Sequence, residues 1–374
     1  MSGVAPYLIV FSLSVFLFWL SQKTKGSLCF ILVACALLIP SLLAGFRDNS
    51  VGTDVMVYGY YSFRGALESG LQEYLISSAS YHPLGFNLFS WVMARLGGTL
   101  WFYLAAIQLF TSLFVYMGLI HQRGIAVWAG MAAYYLLLFP VSLNAMKQMM
   151  AIAVVLWGSS YSSERRLWPF LGSVALATLF HQTALVALAI YPLQRFFESI
   201  DSRRAFFGKA QGFAFYTVVV IGMLLVFVVG ESLLPLLVRL KDSYASVANA
   251  AGTRVNYSGL ILLGWSLVCA VKTIRNFSGK EATDRAPAFQ ALLFVVGCIA
   301  IQLNVIAASL LRFSYYGMIF AAPLMGFYLG SKEGHSYRVL GLLSLALFLA
   351  YFYVVYAVNG GNAVVPYTSS ILGL

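Results

Sequence analysis

Apolar residues in this chain gather into runs separated by polar stretches. The runs lie near residues 4–20, 27–45, 81–97, 100–120, 125–141, 144–160, 167–193, 212–234, 258–274, 288–311, 313–330 and 338–358. Runs this long, lacking the two-residue alternation of a strand, predict helices, and about 20 apolar residues cross a bilayer. The pattern predicts an all-α polytopic membrane protein with about 10–12 transmembrane segments. Two runs are irregular. Residues 81–97 open on Tyr81-His82-Pro83 and close on Gly97-Gly98, so breakers stand at both ends. Residues 167–193 exceed one plain span and carry His181-Gln182 midway.

Basic residues orient the runs. Lys23 and Lys25 follow the first run with no positive charge ahead of it, which favours an outside N-terminus. The same rule puts Arg165-Arg166 and the stretches Arg195 to Lys209, Lys272 to Arg285 and Lys332 to Arg338 inside. Plain alternation of all the runs cannot satisfy these loops. It does so once 81–97 and 167–193 are broken or re-entrant, each entering and leaving on one side. Such backbone survives at membrane depth only against protein or a watery cavity, and it often lines a site. The polar stretches 46–80 and 235–257 then become extracytoplasmic loops. In the first of them Leu67, Leu71, Tyr74 and Leu75 recur at helical spacing, as in a short interfacial helix. No repeat, low-complexity tract or linker divides the chain, so residues 1–374 read as a single transmembrane domain. The first run lacks a basic leader and a small-residue cleavage site, and it reads as a retained span.

Composition agrees: 61% of residues are hydrophobic and 9% charged. A net charge of +11 would suggest nucleic acid in a soluble protein, but here it reflects cytoplasmic loops. Cys29, Cys35, Cys269 and Cys298 all sit inside apolar runs without a C-x-x-C pair, and read as buried single thiols. Gly279-Lys280 lacks the rest of a phosphate-binding loop, which excludes an ATP site of that kind. The near absence of Asp and Glu from the runs argues against a proton-coupled pump.

Charge inside an apolar run is costly and marks a candidate site. Arg312 stands alone between Pro287 and Ser331, in Ser309-Leu-Leu-Arg-Phe-Ser-Tyr-Tyr316. Lys147 stands alone between Ile125 and Ser163, in Asn144-Ala-Met-Lys-Gln-Met-Met150. His181 lies in Leu179-Phe-His-Gln-Thr-Ala-Leu185. The topology gathers all three near the outer surface with Arg47, Asp54 and His82. Each also has a plainer reading: Arg312 as an interfacial anchor, Lys147 as a turn residue, His181 as a structural histidine and Asp54 as a solvated loop carboxylate. Most tyrosines and tryptophans at run ends belong to an aromatic belt.

Cations and hydrogen-bonding groups on one face, set in apolar walls, suit a lipid-linked anion. Arg grips phosphate through a bidentate fork, Lys acts as a point charge, and a His or Asp beside them can take a proton from an attacking hydroxyl. That describes glycosyl transfer from a polyprenyl diphosphate.

These residues also form an ordered set of motifs. Arg47, Val51-Gly52-Thr53-Asp54 and Tyr58 resemble the first outer-loop motif of the EpsG branch of Wzy-type polysaccharide polymerases. Asn144, Lys147-Gln148 and Ala151 resemble its Asn-x-x-Arg-Gln-x-x-Ala element, with Lys where the family usually has Arg. His181-Gln-Thr-Ala-Leu185 resembles its His-x-(Ser/Thr)-Ala element. Arg312 with Tyr315-Tyr316 resembles its late Arg/Tyr element, and Pro366-Tyr367 its Pro-Tyr. The resemblance implies a metal-independent, cofactor-free glycosyltransferase of the GT-C kind in the bacterial inner membrane, its active site facing the periplasm. Its substrates would be undecaprenyl diphosphate-linked glycan donor and acceptor units, joined into O-antigen, capsule or exopolysaccharide. A flippase and a chain-length regulator are the expected protein partners, with membrane lipid around the chain and no nucleic acid. Arg312, Arg47 and Lys147 would hold the leaving diphosphate, while His82, Asn144, Gln148, Thr183, Tyr58, Tyr315 and Tyr316 bind or orient substrate. His181 is favoured as the base over Asp54, which would position Arg47 or a sugar hydroxyl. The alternatives are a lipid-linked oligosaccharide flippase or other transporter, a glycan ligase, and an assembly factor without activity.

Overall fold

The computed structural model describes residues 3–122, 124–199, 256–277, 286–305, 310–330 and 334–374. The expected span at 212–234 and almost all of the 235–257 loop lie outside the described residues, as does most of each basic stretch Arg195 to Lys209 and Lys272 to Arg285. The chain is an all-α polytopic membrane protein. Among the described residues, five helices are long and apolar enough to cross a bilayer: Gly26–Phe46, Leu100–Ile120, Tyr257–Asn276, Ala286–Asn304 and His335–Val358. Three shorter apolar helices accompany them, Ala5–Ser21, Val127–Leu137 and Leu167–Thr178.

The described residues form two compact units. The first comprises Met1–Tyr191 and Ala321–Leu374. Its helices are α1 (Ala5–Ser21), α2 (Gly26–Phe46), α3 (Tyr60–Glu68), α4 (Leu71–Ser78), α5 (Leu84–Gly97), α6 (Leu100–Ile120) and α7 (Val127–Leu137). They continue with α8 (Phe139–Ser142), α9 (Met146–Ser163), α10 (Leu167–Thr178) and the start of α11 (Ile190–Ser199). At the centre lies α9, where Met149 through Leu156 have no solvent exposure. A helix apolar on every side belongs in the middle of a bundle; α6 and α10 pack against it, and α2 backs α6.

Hydroxyls from other helices satisfy carbonyls at two helix irregularities. Pro40 inside α2 has no N–H for the carbonyl of Ala36, and Ser14 Oγ donates to that oxygen at 2.6 Å. Between α7 and α8 the helix breaks at Leu138, and Tyr356 donates to the carbonyl of Leu137 at 2.9 Å.

Neither irregular run is a plain span: the first is a single short helix with breakers at its ends, and the second is interrupted midway. The first becomes α5, fourteen residues between Pro83 and left-handed Gly98. The second becomes α10, an extended His181, a 3-10 helix Gln182–Ala189 and α11. The short helix expected over Leu67 to Leu75 is two helices rather than one, because Ser69-Gly70 separates α3 from α4. The thiols divide: Cys269 and Cys298 are buried, but Cys29 and Cys35 are only half-buried. The reason is one-sided packing, since α2 buries Ala36, Leu37, Pro40, Ser41, Leu43, Ala44 and Gly45 and leaves Leu28, Phe30 and Ile31 exposed.

The second unit, Pro192–Phe320, contains α12 (Tyr257–Phe277), α13 (Ala286–Ala300) and α14 (Leu311–Met318). The N-termini of α15 (Ala321–Gly330) and α16 (His335–Phe352) return the chain to the first unit, where both pack on α7.

Candidate functional site

One end of the first unit collects most of the residues singled out by sequence. Arg47 leaves α2 and turns back into the protein, 6% exposed. Its Nε donates to the carbonyl of Val51 at 3.1 Å, Nη2 to that of Leu143 at 3.2 Å, and Nη1 to that of Ala44. The guanidinium therefore ties the end of α2 to the loop before Asp54 and to the turn before α9. Burial pulls its pKa down to about 10, opposed by Tyr7, Tyr367 and Tyr58, so it remains a cation at neutral pH. Gly52 makes this closure possible. Its φ of +85° is a left-handed conformation, and a Cβ there would stand 2.9 Å from the Leu143 carbonyl oxygen.

Asn144 is the hub between the first loop and α9. Its Oδ1 accepts from Thr53 Oγ1 at 2.9 Å and from the backbone N–H of Asp54 at 3.0 Å. Its Nδ2 donates to Asn362 Oδ1 at 3.4 Å, and its carbonyl accepts from the Tyr58 hydroxyl at 3.4 Å. Asp54 is 9% exposed and interacts with the same Tyr58 hydroxyl. Burial, then the Asp54 carboxylate, push Tyr58 well above its ordinary pKa, so it stays a neutral donor.

Lys147 emerges from the first turn of α9 into an aromatic box. Its Nζ lies 4.4 Å from the Tyr58 ring centroid and 5.7 Å from that of Phe86. It also meets His82 Nδ1 at 2.9 Å. The other ring nitrogen, Nε2, meets Ser62 Oγ at 3.0 Å. His82 sits in the turn before α5, outside every helix long enough to span a bilayer, and its pKa is lowered to about 4. Burial is the largest cause and the neighbouring ammonium the next. Gln148, one residue on, is 2% exposed.

His181 lies on the adjoining break. The N–H of Gly85 donates to the carbonyl of Leu179 at 2.8 Å, so the start of α5 docks on the end of α10. Only glycine fits here, since a Cβ would come within 2.7 Å of Leu179 Cβ. His181 itself caps the following 3-10 helix: Nδ1 accepts from the Thr183 N–H at 3.4 Å and meets Thr183 Oγ1 at 2.7 Å.

Arg312, Tyr315 and Tyr316 belong to the second unit, on α14, where Arg312 is exposed and both tyrosines are buried. The C-terminal Pro366-Tyr367 belongs to the first. Tyr367 donates to the carbonyl of Leu43 at 2.8 Å, Tyr7 to that of Val364 at 2.8 Å, and Gly52 N–H to that of Ala363 at 2.9 Å. Asp48 receives both the N–H and the hydroxyl of Ser370 at 2.8 Å.

Sequence reasoning missed Ser62, Phe86 and Asn362. Ser62 and Phe86 carry no signal, being ordinary residues on amphipathic turns. Asn362 had one: Asn359-Gly-Gly-Asn362 is a turn sequence, and Asn362 takes the left-handed conformation that Asn tolerates, φ +60°.

The profile of the EpsG family matches residues 30–369. Neither a curated protein nor a solved structure matches the chain.

Proposed function

Because the chain belongs to the EpsG family, a Wzy-like polymerase family, we propose that it joins lipid-linked oligosaccharide repeat units at the end of the first unit that holds Lys147. The donor would be a growing glycan on undecaprenyl diphosphate and the acceptor a new lipid-linked unit, on the periplasmic side of the bacterial inner membrane. The observation that carries this reading is the convergence of Lys147, Asp54, Tyr58, His82 and Asn144 from three separate segments of the chain. Helix ends supply a cation, a carboxylate and amide groups there, in apolar walls.

Roles follow from the contacts. Lys147 stabilises charge on the leaving diphosphate, where a preformed cation in a water-poor site counts most. Asp54 takes the proton of the acceptor hydroxyl, and two observations favour it over His181. Its backbone is pinned by Asn144 beside Lys147, whereas the Nδ1 lone pair of His181 serves Thr183. Arg47, its three nitrogens on carbonyls, acts by holding the Asp54 loop against α9. Asn144, Gln148 and Thr183 orient sugar. For Arg312, exposed in the first turn of α14, we propose a phosphate contact of its own through its bidentate fork, with Tyr315 and Tyr316 supporting that helix.

The test is purified enzyme with lipid-linked repeat units, read as a ladder on a gel. The wild type should build the ladder and Lys147→Met should not. A ladder of normal length from Lys147→Met would remove the diphosphate from this end of the molecule.

A further inference from the structure

The pairing of Lys147 with His82 has a direction. An ammonium has three donors and no acceptor, so the 2.9 Å contact requires a lone pair on His82 Nδ1. The neutral ring must then carry its proton on Nε2, which donates to Ser62 Oγ at 3.0 Å. Both nitrogens are thus used within the protein. The ring is held by packing as well, with its centroid 5.6 Å from those of Tyr58 and Phe86. Its backbone is fixed too: the N–H donates to the carbonyl of Ser78 at 3.0 Å, and the carbonyl accepts from Asn87 Nδ2 at 3.1 Å. Asn87 is itself 1% exposed.

A lysine needs such a brace. Its four-carbon stem has many rotamers open to it, and the ammonium has no preferred direction of its own. Aromatic faces attract a cation without aiming it. A single acceptor on a rigid ring supplies the direction.

We propose that His82 is a positioning residue: it aims the ammonium of Lys147 at the diphosphate from within the Tyr58–Phe86 box, and it does not touch substrate. This deepens the reading of Lys147 given above and rests on it. Ser62 belongs to the same device, since it selects the tautomer that leaves Nδ1 able to accept.

The experiment uses full-length protein in detergent and undecaprenyl diphosphate itself as the probe, so that the sugar need not be known. Binding is titrated for the wild type and for Lys147→Met, His82→Phe, His82→Asn and the double variant His82→Phe with Lys147→Met. Phe keeps the ring and its packing but loses the acceptor, and Asn offers an amide oxygen where Nδ1 stood. His82→Phe should weaken binding roughly 10- to 100-fold, the range expected for a lost hydrogen bond to a charged group. His82→Asn should stay within a few-fold of wild type, and the double variant should bind no worse than Lys147→Met. If His82→Phe binds like the wild type while Lys147→Met is weak, the proposal fails and the diphosphate site stands. If His82→Phe weakens binding equally with and without Lys147, His82 acts on the ligand directly and the proposal also fails. If Lys147→Met itself binds like the wild type, the underlying reading of the site falls.

Discussion

Two histidines stand on neighbouring breaks in the same unit and do opposite things with their nitrogens. His82 receives Lys147 on one and donates to Ser62 with the other, so it connects α9 to α3 across space. His181 turns its Nδ1 to Thr183, two residues on, and restarts its own helix. Local sequence makes His181 the more conspicuous, because it interrupts a long apolar run. Geometry gives the first histidine the connection to a cation, and the second a local structural bond. An isolated polar residue in an apolar run therefore signals that something is broken there, and only its partners tell whether the break serves chemistry.

The largest expected effect tests which group takes the proton. Asp54→Asn should lower the rate of ladder formation by about 10²–10⁴, the contribution of a general base, while His181→Ala keeps most of its activity. Initial rates on one lipid-linked substrate decide. A dead His181→Ala beside an active Asp54→Asn would restore His181 as the base and cancel the contrast between the two histidines.

The sequence made the architecture legible because membrane helices are written in composition. α2 and α6 lie within a residue or two of the runs that predict them, and the breaks at Pro83 and at His181 coincide with breakers or polar pairs. The site was legible in part. Charged residues out of place, such as Lys147, announce themselves. Ser62 and Phe86 do not, because a serine or phenylalanine on a helix looks the same whether it faces a cation or lipid. Arg47 shows a further limit: its charge is visible in sequence, but its three carbonyl partners depend on how α2, the loop and α9 close.

A smaller effect probes the brace from the side of the cation. Lys147→Arg should be tolerated, because a guanidinium brings its own planar fork and needs less aiming. In that background, His82→Phe should cost only a few-fold in undecaprenyl diphosphate affinity, less than it costs beside lysine. Equal losses in both backgrounds would mean that the ring shapes the box rather than directs the ammonium.

Smaller still is the effect of removing the cap. His181→Ala deprives the Thr183 N–H of its acceptor at the start of the 3-10 helix, and loss of a helix cap costs on the order of 1 kcal/mol. Thermal unfolding in detergent should show a drop of a few degrees, and His181→Asn, which can cap in the same way, should recover it. No change in Tm would leave the bond to Thr183 without structural weight.

The least effect expected concerns pH and His82 alone. Its pKa lies at about 4 in the folded protein against an ordinary 6.5, because burial and then the Lys147 ammonium disfavour the imidazolium. The unfolded chain therefore binds a proton before the folded one does, and linkage makes stability fall as pH drops from about 6.5 toward 4. Lys147 and Tyr58 both face the ring, and Tyr58, held well above its ordinary pKa, stays neutral and adds nothing to the slope. Because His82 is partly exposed, solvent screening reduces the effect. Measured between pH 7 and pH 5, the Tm of the wild type should fall further than that of His82→Asn, which has nothing to titrate. Parallel curves for the two proteins would show that the ring does not hold a neutral Nδ1 against Lys147, and the difference drawn between the two histidines would close.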